Sequence, residues 1–304
     1  MSGEPARRPP WSAFRAALDR ARFRPSRRLG QNFLLDEAMT AAIVRDSGVE
    51  PGERVVEIGA GCGFLSAHLL ERGVRLLSVE IDERLLAVAR GFLEPLAEAG
   101  PGSLELLHAD ALGGKRVLGP ELAAALPRGE PWSVVANLPY SAGSPLLALF
   151  SRLAHPPRRM TVLVQLEVAE RLAADPGTRA WGPLGVRLQC LYRAHLVRRV
   201  PAQLFWPNPR VESALCRLDL RPERPDPERV AAFDALVGTL FQQRRRILRK
   251  ALAPLADAGA AEDWARRAGL EPTRRVATLD HAELWRLVEA LPGAPGAFVQ
   301  PPGQ

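Results

Sequence analysis

Residues 55–63, with the sequence VVEIGAGCG, decide the fold of this chain. They form an apolar strand that runs directly into a turn with three glycines. An open α/β sheet uses such a strand and turn to bring its backbone close to a nucleotide-like ligand. After this stretch, apolar strand-like segments alternate with segments of helical spacing. The alternation predicts a Rossmann-like α/β fold, a mostly parallel sheet with helices on both faces.

The predicted elements follow one another closely. A helix over 37–47 ends at Gly48, and strands at 194–200 and 213–219 are expected to form a hairpin at the sheet edge. The other predicted strands are 54–58, 75–80, 104–108, 133–136 and 160–165, and the predicted helices are 63–72, 83–99, 120–126 and 144–153. We divide the chain into a basic flexible arm (1–27), a Rossmann-like domain (28–220), a proline-rich linker (221–227), a small helical RNA-binding domain (228–291) and a disordered tail (292–304).

The composition restricts the class of protein. The 304 residues carry a net charge of +7, which favours a polyanionic partner such as nucleic acid. The three cysteines lie far apart without the spacing of a metal site, so we expect no metal and a reducing, cytoplasmic location. No apolar run approaches the roughly 18 residues of a membrane span. The basic first 28 residues are typical of an RNA-contacting arm or a disordered tail, with an organellar transit peptide as the remaining alternative.

The glycine spacing excludes two nucleotide-binding motifs. A dinucleotide fingerprint would place its third glycine at position 64, which is Phe64, and no Walker lysine follows the turn. Gly59 and Gly61 therefore predict a backbone that approaches a cofactor without a pyrophosphate. S-adenosylmethionine is such a cofactor.

Two carboxylates follow successive strands and are the candidates for polar contacts with this cofactor. Glu80 ends the strand after the glycine turn, where an acidic group accepts hydrogen bonds from ribose hydroxyls. Asp110 follows the next strand, where it would accept from the adenine amino group. Each of them alone would be a strand-end residue or helix cap more often than a ligand. Their order on successive strand ends favours the ligand interpretation.

The tetrapeptide Asn137-Leu138-Pro139-Tyr140 ends another apolar strand and predicts the chemistry. An aromatic amine is a poor nucleophile because its lone pair is delocalised into the ring. The Asn137 side-chain oxygen and the Leu138 carbonyl would accept hydrogen bonds from both N–H groups, Pro139 would fix the turn, and Tyr140 would stack on the base. The sequence thus predicts a methyltransferase that acts on the exocyclic amine of a base.

A second aromatic ring is expected opposite Tyr140. Phe205, in the segment LFWPNPRVES at 204–213, is the candidate. The alternative is that Phe205 anchors its loop in the core, as most aromatic residues do.

Taken together, these motifs resemble the small-subunit ribosomal RNA adenine dimethylases. The resemblance runs from LGQNFL at 29–34 through the glycine turn, the 137–140 tetrapeptide and the 205–213 segment to FQQRRR at 241–246. It covers about residues 27–290. It implies a Rossmann-like fold, S-adenosylmethionine as the cofactor, and N6-dimethylation of two adjacent adenosines in a hairpin loop near the 3′ end of small-subunit rRNA, during ribosome biogenesis.

The resemblance also implies that Asn32 and Leu34 join Gly59, Glu80, Asp110 and Asn137 around the cofactor. The chain departs from the family pattern around the target-base side of the pocket. Ser141-Ala142-Gly143 replaces the usual Asn-Ile-Ser/Thr, Leu166 stands where a lysine is common, and residues 181–185 lack the usual Tyr and Arg.

A run of basic residues in the helical region is the candidate RNA contact. Arg244, Arg245, Arg246 and Arg249 are followed by Lys250, with no carboxylate within a turn of them in sequence. On a continuous helix Arg245 and Arg249 would share one face. The alternative is a solvated stripe without a partner.

Three other functions are weighed against an rRNA adenine dimethylase. The first is a large-subunit rRNA adenine methylase of the macrolide-resistance type, which shares the catalytic domain but which the arginine run and helical domain disfavour. The second is a weakly active RNA-binding assembly factor of the ribosome, against which the intact 137–140 tetrapeptide argues. A small-molecule methyltransferase fits the basic charge least. We expect a monomer that acts on the immature small subunit.

Overall fold

The structure is a computed structural model that describes residues 8–26, 28–34, 36–114, 117–256 and 258–291. These residues form two compact units. The first unit contains the described residues up to 169 and those of 194–220, and the second contains those of 170–193 and the described residues from 221 onward. The predicted tail, 292–304, lies outside the described residues, as do residues 1–7 and 27 of the predicted arm.

The helices and strands of the sheet region confirm the predicted alternation. The helices are α1 (Trp11–Arg20), α2 (Glu37–Ser47), α3 (Phe64–Glu71), α4 (Glu83–Ala99), α5 (Pro120–Ala125) and α6 (Gly143–Phe150). The strands are β1 (Phe33–Leu34), β2 (Arg54–Ile58), β3 (Arg75–Glu80), β4 (Ser103–His108), β5 (Leu112–Gly114), β6 (Val117–Leu118), β7 (Trp132–Asn137), β8 (Arg159–Gln165), β9 (Tyr192–Val200), β10 (Phe205–Trp206) and β11 (Ser213–Leu220).

Seven of these strands form one sheet in the order β4-β3-β2-β7-β8-β11-β9. The first five run parallel to one another, and β11 pairs antiparallel with β8. The mostly parallel α/β fold is therefore confirmed, with the two late strands at one edge. Chain order reverses at β2, which lies between β3 and β7. In sheets of this kind the ligand crevice lies outside the carboxyl ends of the strands at such a point.

Local chemistry sets the element boundaries close to the predicted ones. Asp36 caps α2, since its carboxylate accepts a hydrogen bond from the Met39 amide at 2.6 Å, and Gly48 ends that helix at a φ of 61°. Asp82 caps α4 in the same way through the Arg84 amide at 3.1 Å. The central strands β2 and β7 are buried on both faces, as helices on each side of a parallel sheet require.

Helix α1 lies within the segment that was predicted to be a flexible arm, and it is packed rather than flexible. Phe14 and Leu18 are completely buried in the core of the first unit, and the Phe14 ring lies 5.4 Å from that of Phe64 and 4.2 Å from that of Phe92. Trp11, Phe14 and Leu18 recur at helical spacing, so one face of α1 is apolar and packs. The excess of arginine in this stretch hid that spacing.

The second unit is helical and larger than the predicted helical domain. It contains α8 (Pro183–Gln189), α9 (Pro227–Gln242), α10 (Leu248–Leu252), α11 (Ala258–Arg267) and α12 (His281–Glu289), while α7 (Leu166–Leu172) spans the division between the units. Residues 170–193 belong here, whereas the sequence analysis assigned them to the sheet domain. Completely buried Trp181 donates a hydrogen bond to the Leu279 carbonyl at 3.2 Å, and Gly177 donates to Ala277 at 2.8 Å. These long-range bonds are invisible in local sequence patterns.

Replacing Phe14 by Ala should destabilise the protein by about 3–5 kcal/mol, the cost of removing a fully buried aromatic ring. Urea unfolding followed by circular dichroism measures the change. Ser12→Ala, at an exposed position of the same helix, should stay within about 0.5 kcal/mol of the original chain. A flexible arm would give near-zero effects for both variants.

Candidate active site

The glycine turn after β2 lies against the loop that follows β7. Gly59 and Gly61 have φ angles of 79° and 57°, which favour glycine. A Cβ atom on Gly59 would lie 3.3 Å from Cδ of Pro139, and one on Gly61 would lie 3.0 Å from Cε1 of Phe33. The Gly59 amide also donates to the Val79 carbonyl at 2.8 Å, which ties the turn to β3. The turn is therefore fixed by both neighbouring strand ends.

A cavity of about 340 Å³ opens at the carboxyl ends of these strands. It brings together all the predicted cofactor residues and four of the five predicted catalytic residues. The predicted residues that line it are Asn32, Leu34, Gly59, Gly61, Glu80, Asp110, Asn137, Leu138, Pro139 and Tyr140.

Glu80 is held by three backbone amides at the base of the cavity. Its Oε2 accepts from Gly61 at 2.7 Å, and its Oε1 accepts from Ile81 and Asp82, each at 2.9 Å. Burial raises the pKa of Glu80 above its ordinary value, although these hydrogen bonds oppose the shift. Three of about four acceptor sites are thus filled by the protein, and one on Oε2 remains for a ligand.

Asp110, the second carboxylate predicted to contact the cofactor, is exposed. One of its oxygens accepts a hydrogen bond from the Leu112 amide at 2.9 Å, so for that oxygen the alternative of a strand-end residue that bonds local backbone applies. The residue nevertheless lines the cavity, on the β4 side of the sheet. Its contact with adenine stays a prediction.

Asn137 is oriented by a residue far away in sequence. Its Nδ2 donates to the backbone carbonyl of Asn32 at 2.9 Å. Since only the nitrogen of the amide can donate, Oδ1 is left as an acceptor. No hydrogen-bond donor of the described residues reaches the carbonyl of Leu138. Both acceptors that the sequence analysis assigned to the amine are therefore available.

Tyr140 is fixed by its hydroxyl, which lies 2.7 Å from Oγ of the buried Ser213. Burial raises the pKa of Tyr140, and the bond to Ser213 only partly offsets this. The ring is half-buried at the cavity wall. Ser213 was not predicted as a site residue, although it ends the 205–213 segment that carries the resemblance.

Phe205 does not lie where the sequence analysis expected it. Its side chain is completely buried in the core of the first unit, and its backbone pairs with Leu34 in the short β1–β10 ladder. The ring has no open face on which a base could stack. The structure corrects the predicted stacking role, and the alternative of a loop anchor describes the residue.

Glu57 is a buried carboxyl directly beneath the glycine turn that was not predicted as functional. The hydroxyl groups of Ser66 and Ser78 both donate to its Oε2, the latter at 2.7 Å. Burial raises the pKa of Glu57 to about 7 in spite of these bonds, and the charge of Glu80 adds to the shift. A glutamate between Val56 and Ile58 in an apolar strand was the available sequence signal.

The arginine run of the second unit is not a continuous helix, which corrects the predicted shared face. Helix α9 ends at Gln242, and Arg244–Arg246 form a turn before α10. The Arg244 guanidinium donates to the Arg179 carbonyl at 3.0 Å and holds a loop, while Arg249 pairs with Glu262 at 2.9 Å. The side chains of Arg245 and Arg246 are exposed, with no partner among the residues that the structure describes.

The comparisons with known proteins decide the family. A family model described as "Ribosomal RNA adenine dimethylase" matches residues 22–292. The chain belongs to this family. A relative from Anaeromyxobacter sp. (strain K) named "Ribosomal RNA small subunit methyltransferase A" is 43% identical over 282 residues, which cover 90% of this chain and 96% of the relative. One of the same name from Phenylobacterium zucineum is 39% identical over 276 residues, 91% of each chain.

Two solved structures share the fold. The structure of the 23S rRNA methyltransferase ErmE is 26% identical, has a TM-score of 0.66 and covers 85% of this chain and 99% of its own. A dimethyladenosine transferase from Plasmodium falciparum is 20% identical, has a TM-score of 0.67 and covers 83% of this chain and 94% of its own. The second likeness concerns the fold alone.

The cofactor of this family of enzymes is S-adenosylmethionine, and the cavity of this rRNA adenine dimethylase fits it. Both glycines line the cavity with bare backbone, Glu80 keeps one acceptor site, and Asn137 lines the same cavity as the turn. Within the described ranges, no group of three or more His, Cys, Asp or Glu could hold a metal ion. No described helix is long and apolar enough to cross a bilayer.

Replacing Glu57 by Gln should change how stability depends on pH. Between pH 4.5 and about 7 the folded chain keeps a proton on Glu57 that the unfolded chain has released, so its free energy of unfolding falls as the pH rises. The Glu57→Gln variant would lack this titration. The stability of the original chain relative to the variant should therefore fall by about 3 kcal/mol across this range, as measured by urea unfolding at several pH values.

Glu53→Gln is the matched control, because its shift has the opposite sign. Burial tends to raise the pKa of Glu53, but hydrogen bonds from Arg158 and Ser133 outweigh this and lower it. Its stabilisation should be complete above about pH 4.5 and should be lost as the pH falls. Equal pH profiles for the two variants would contradict the assignment of a neutral Glu57.

Proposed function

We propose that this enzyme transfers methyl groups from S-adenosylmethionine to N6 of two adjacent adenosines in a hairpin loop near the 3′ end of small-subunit rRNA. One observation carries the chemistry: an N–H of the Asn137 amide donates to the Asn32 carbonyl, while the amide oxygen remains an acceptor next to the Leu138 carbonyl, which accepts no hydrogen bond from the described residues. Two acceptors side by side suit a group with two N–H donors, which is an exocyclic amine.

The residues of the chain act by orientation. Hydrogen bonds to Asn137 and Leu138 draw electron density onto the amine nitrogen and aim its lone pair. The bound cofactor supplies an electrophilic methyl group on a sulfonium. Since Asn137 is not a base, the amine is not deprotonated before transfer, and the proton leaves afterwards from the acidic methylated ammonium. Tyr140, held by Ser213, offers a ring on which the base stacks.

The arrangement of residues 137–140 argues against a weakly active assembly factor, because Asn137, Pro139 and Tyr140 all line the cofactor cavity. A large-subunit rRNA methylase is the second candidate, since the structure of ErmE covers 85% of this chain. The relatives that match at about 40% identity over most of both chains carry the small-subunit name, which favours the small subunit.

The target side of the site differs from the family pattern seen in the sequence. Ser141 is exposed and lines the cavity, and the Leu166 amide donates to the Glu212 carbonyl at 2.9 Å. Ser141 directly follows Tyr140, and Leu166 bonds to the residue that precedes Ser213, so both positions adjoin the Tyr140–Ser213 pair and are the ones at which this enzyme would tune its target. We further propose that the enzyme acts as a monomer, in the cytoplasm, on the immature small subunit.

Replacing Asn137 by Ala should lower the methyl-transfer rate about 10²-fold or more while RNA affinity changes little, because the acceptor acts mainly in the transition state. Tyr140→Ala should impair both rate and RNA capture. Tyr140→Phe should keep most of the rate, because stacking needs only the ring. Single-turnover transfer of labelled methyl to rRNA from cells that lack the modification measures all three.

Ser213→Ala is the control for the Tyr140 hydroxyl. It removes the partner of the Tyr140 hydroxyl, so its methyl-transfer rate should match that of Tyr140→Phe. The rate of the double variant should be only slightly lower. A Tyr140→Phe variant as inactive as Tyr140→Ala would contradict the stacking role.

Replacing Arg245 and Arg246 together by Gln should weaken rRNA binding and flatten the dependence of log K on log salt by roughly one to two units, since each phosphate contact contributes about 0.7–0.9. Arg249→Gln is the control, because Glu262 already neutralises Arg249. Filter binding at several salt concentrations gives the slopes. An unchanged slope in the double variant would place the RNA contact elsewhere, such as on the basic N-terminal segment.

A further inference from the structure

Helix α1 precedes the region matched by the family model, which begins at residue 22, yet it contributes to the cofactor cavity. Trp11, its first residue, lines the cavity together with the glycine turn and the first residues of α3. The glycine turn and Asn137 account for the chemistry without this helix. The role of α1 is therefore open.

The start of α1 is fixed by contacts on two other helices. The Trp11 ring meets that of Phe64 edge to face at 5.3 Å, and the Trp11 amide donates to Oε1 of Glu37 at 3.1 Å. The Arg8 guanidinium bonds Glu37 at 2.6 Å and Glu71 at 3.1 Å. Glu37 belongs to α2 and Glu71 to α3. We call these three charged residues, Arg8, Glu37 and Glu71, the Arg8 cluster.

The order of the strands tells which part of the cofactor Trp11 faces. Along the sheet, the cavity runs from Asp110 after β4, through Glu80 at the end of β3, to the glycine turn after β2. The two carboxylates are the predicted contacts of adenine and ribose. Trp11 contacts Phe64, which directly follows the glycine turn, so it lies away from the adenine end. The part of the cofactor left for this end is its amino-acid chain.

We propose that Trp11 closes the amino-acid end of the cofactor cavity and that α1 is the wall that retains S-adenosylmethionine there. The inference rests on the cofactor of the proposed function. The indole supplies apolar surface to the methylene groups of the chain. Its N–H has no acceptor among the described residues and is available to the carboxylate, an acceptor that makes strong hydrogen bonds. The Arg8 cluster positions the ring.

The test compares two ligands that differ only at this end of the molecule. S-adenosylhomocysteine carries the amino-acid chain, and 5′-methylthioadenosine has only a methyl group on the sulfur in its place. Titration calorimetry should show Trp11→Ala binding S-adenosylhomocysteine about ten- to a hundredfold more weakly, with the affinity for 5′-methylthioadenosine nearly unchanged. Trp11→Phe, which keeps a ring but not the N–H, should lie between the two. Trp11→Leu serves as the apolar replacement if the Ala variant does not fold.

Arg8→Gln is a second variant that leaves the cavity lining intact. It should weaken the binding of S-adenosylhomocysteine by up to about fivefold, because it removes two partly exposed ion pairs that hold the start of α1. If Trp11→Ala weakened the binding of both ligands equally, or of neither, the inference would be overturned while the proposed function would stay in place. A native chain that binds neither ligand would overturn the proposed cofactor and this inference with it.

Discussion

The close approach of the glycine turn to Pro139 is the constraint on which the rest of the site depends. A side chain on Gly59 would lie tightly against the proline ring, and the positive φ of Gly59 favours glycine at this contact between the turn and the 137–140 loop. Because Val79 holds the other side of the turn, three strand ends keep a fixed spacing. The amide acceptor of Asn137 is thereby presented beside the cofactor cavity on rigid backbone, which is the arrangement that orientation chemistry needs.

Two buried carboxyl groups support this arrangement from below. Glu80 accepts hydrogen bonds from three backbone amides, one of which belongs to the glycine turn, and so helps to fix the conformation of that turn. Glu57 accepts hydrogen bonds from two serines and has a pKa of about 7, so below that pH it stays neutral beside Glu80, where a second negative charge would be costly. Both carboxyl groups thus have hydrogen-bond partners within the protein, as burial of a polar group requires.

The sequence predicts the sheet and the cavity well because both follow from local patterns. Apolar runs and helix caps locate the strands and α4, and the residues that follow each parallel strand converge at one edge, which brings Glu80, Asp110 and Asn137 together. Local patterns fail where long-range packing decides. Phe205 lies in the core because its short strand pairs with Leu34, residues 170–193 join the helical unit through Trp181, and Arg249 meets a carboxylate thirteen residues away. The cofactor and RNA roles of the site residues stay predictions.

The amide of Asn137 also bears on which bases the site rejects. One of the two N–H groups of its amide donates to the Asn32 carbonyl, which leaves the side-chain oxygen as an acceptor, and Leu138 presents a second carbonyl oxygen. The keto oxygen of guanosine or inosine at the position of the adenosine amine would face two lone-pair-bearing atoms with no proton between them. If Asn137 and Leu138 bind the amine as proposed, discrimination against keto bases would arise from repulsion and lost pairing.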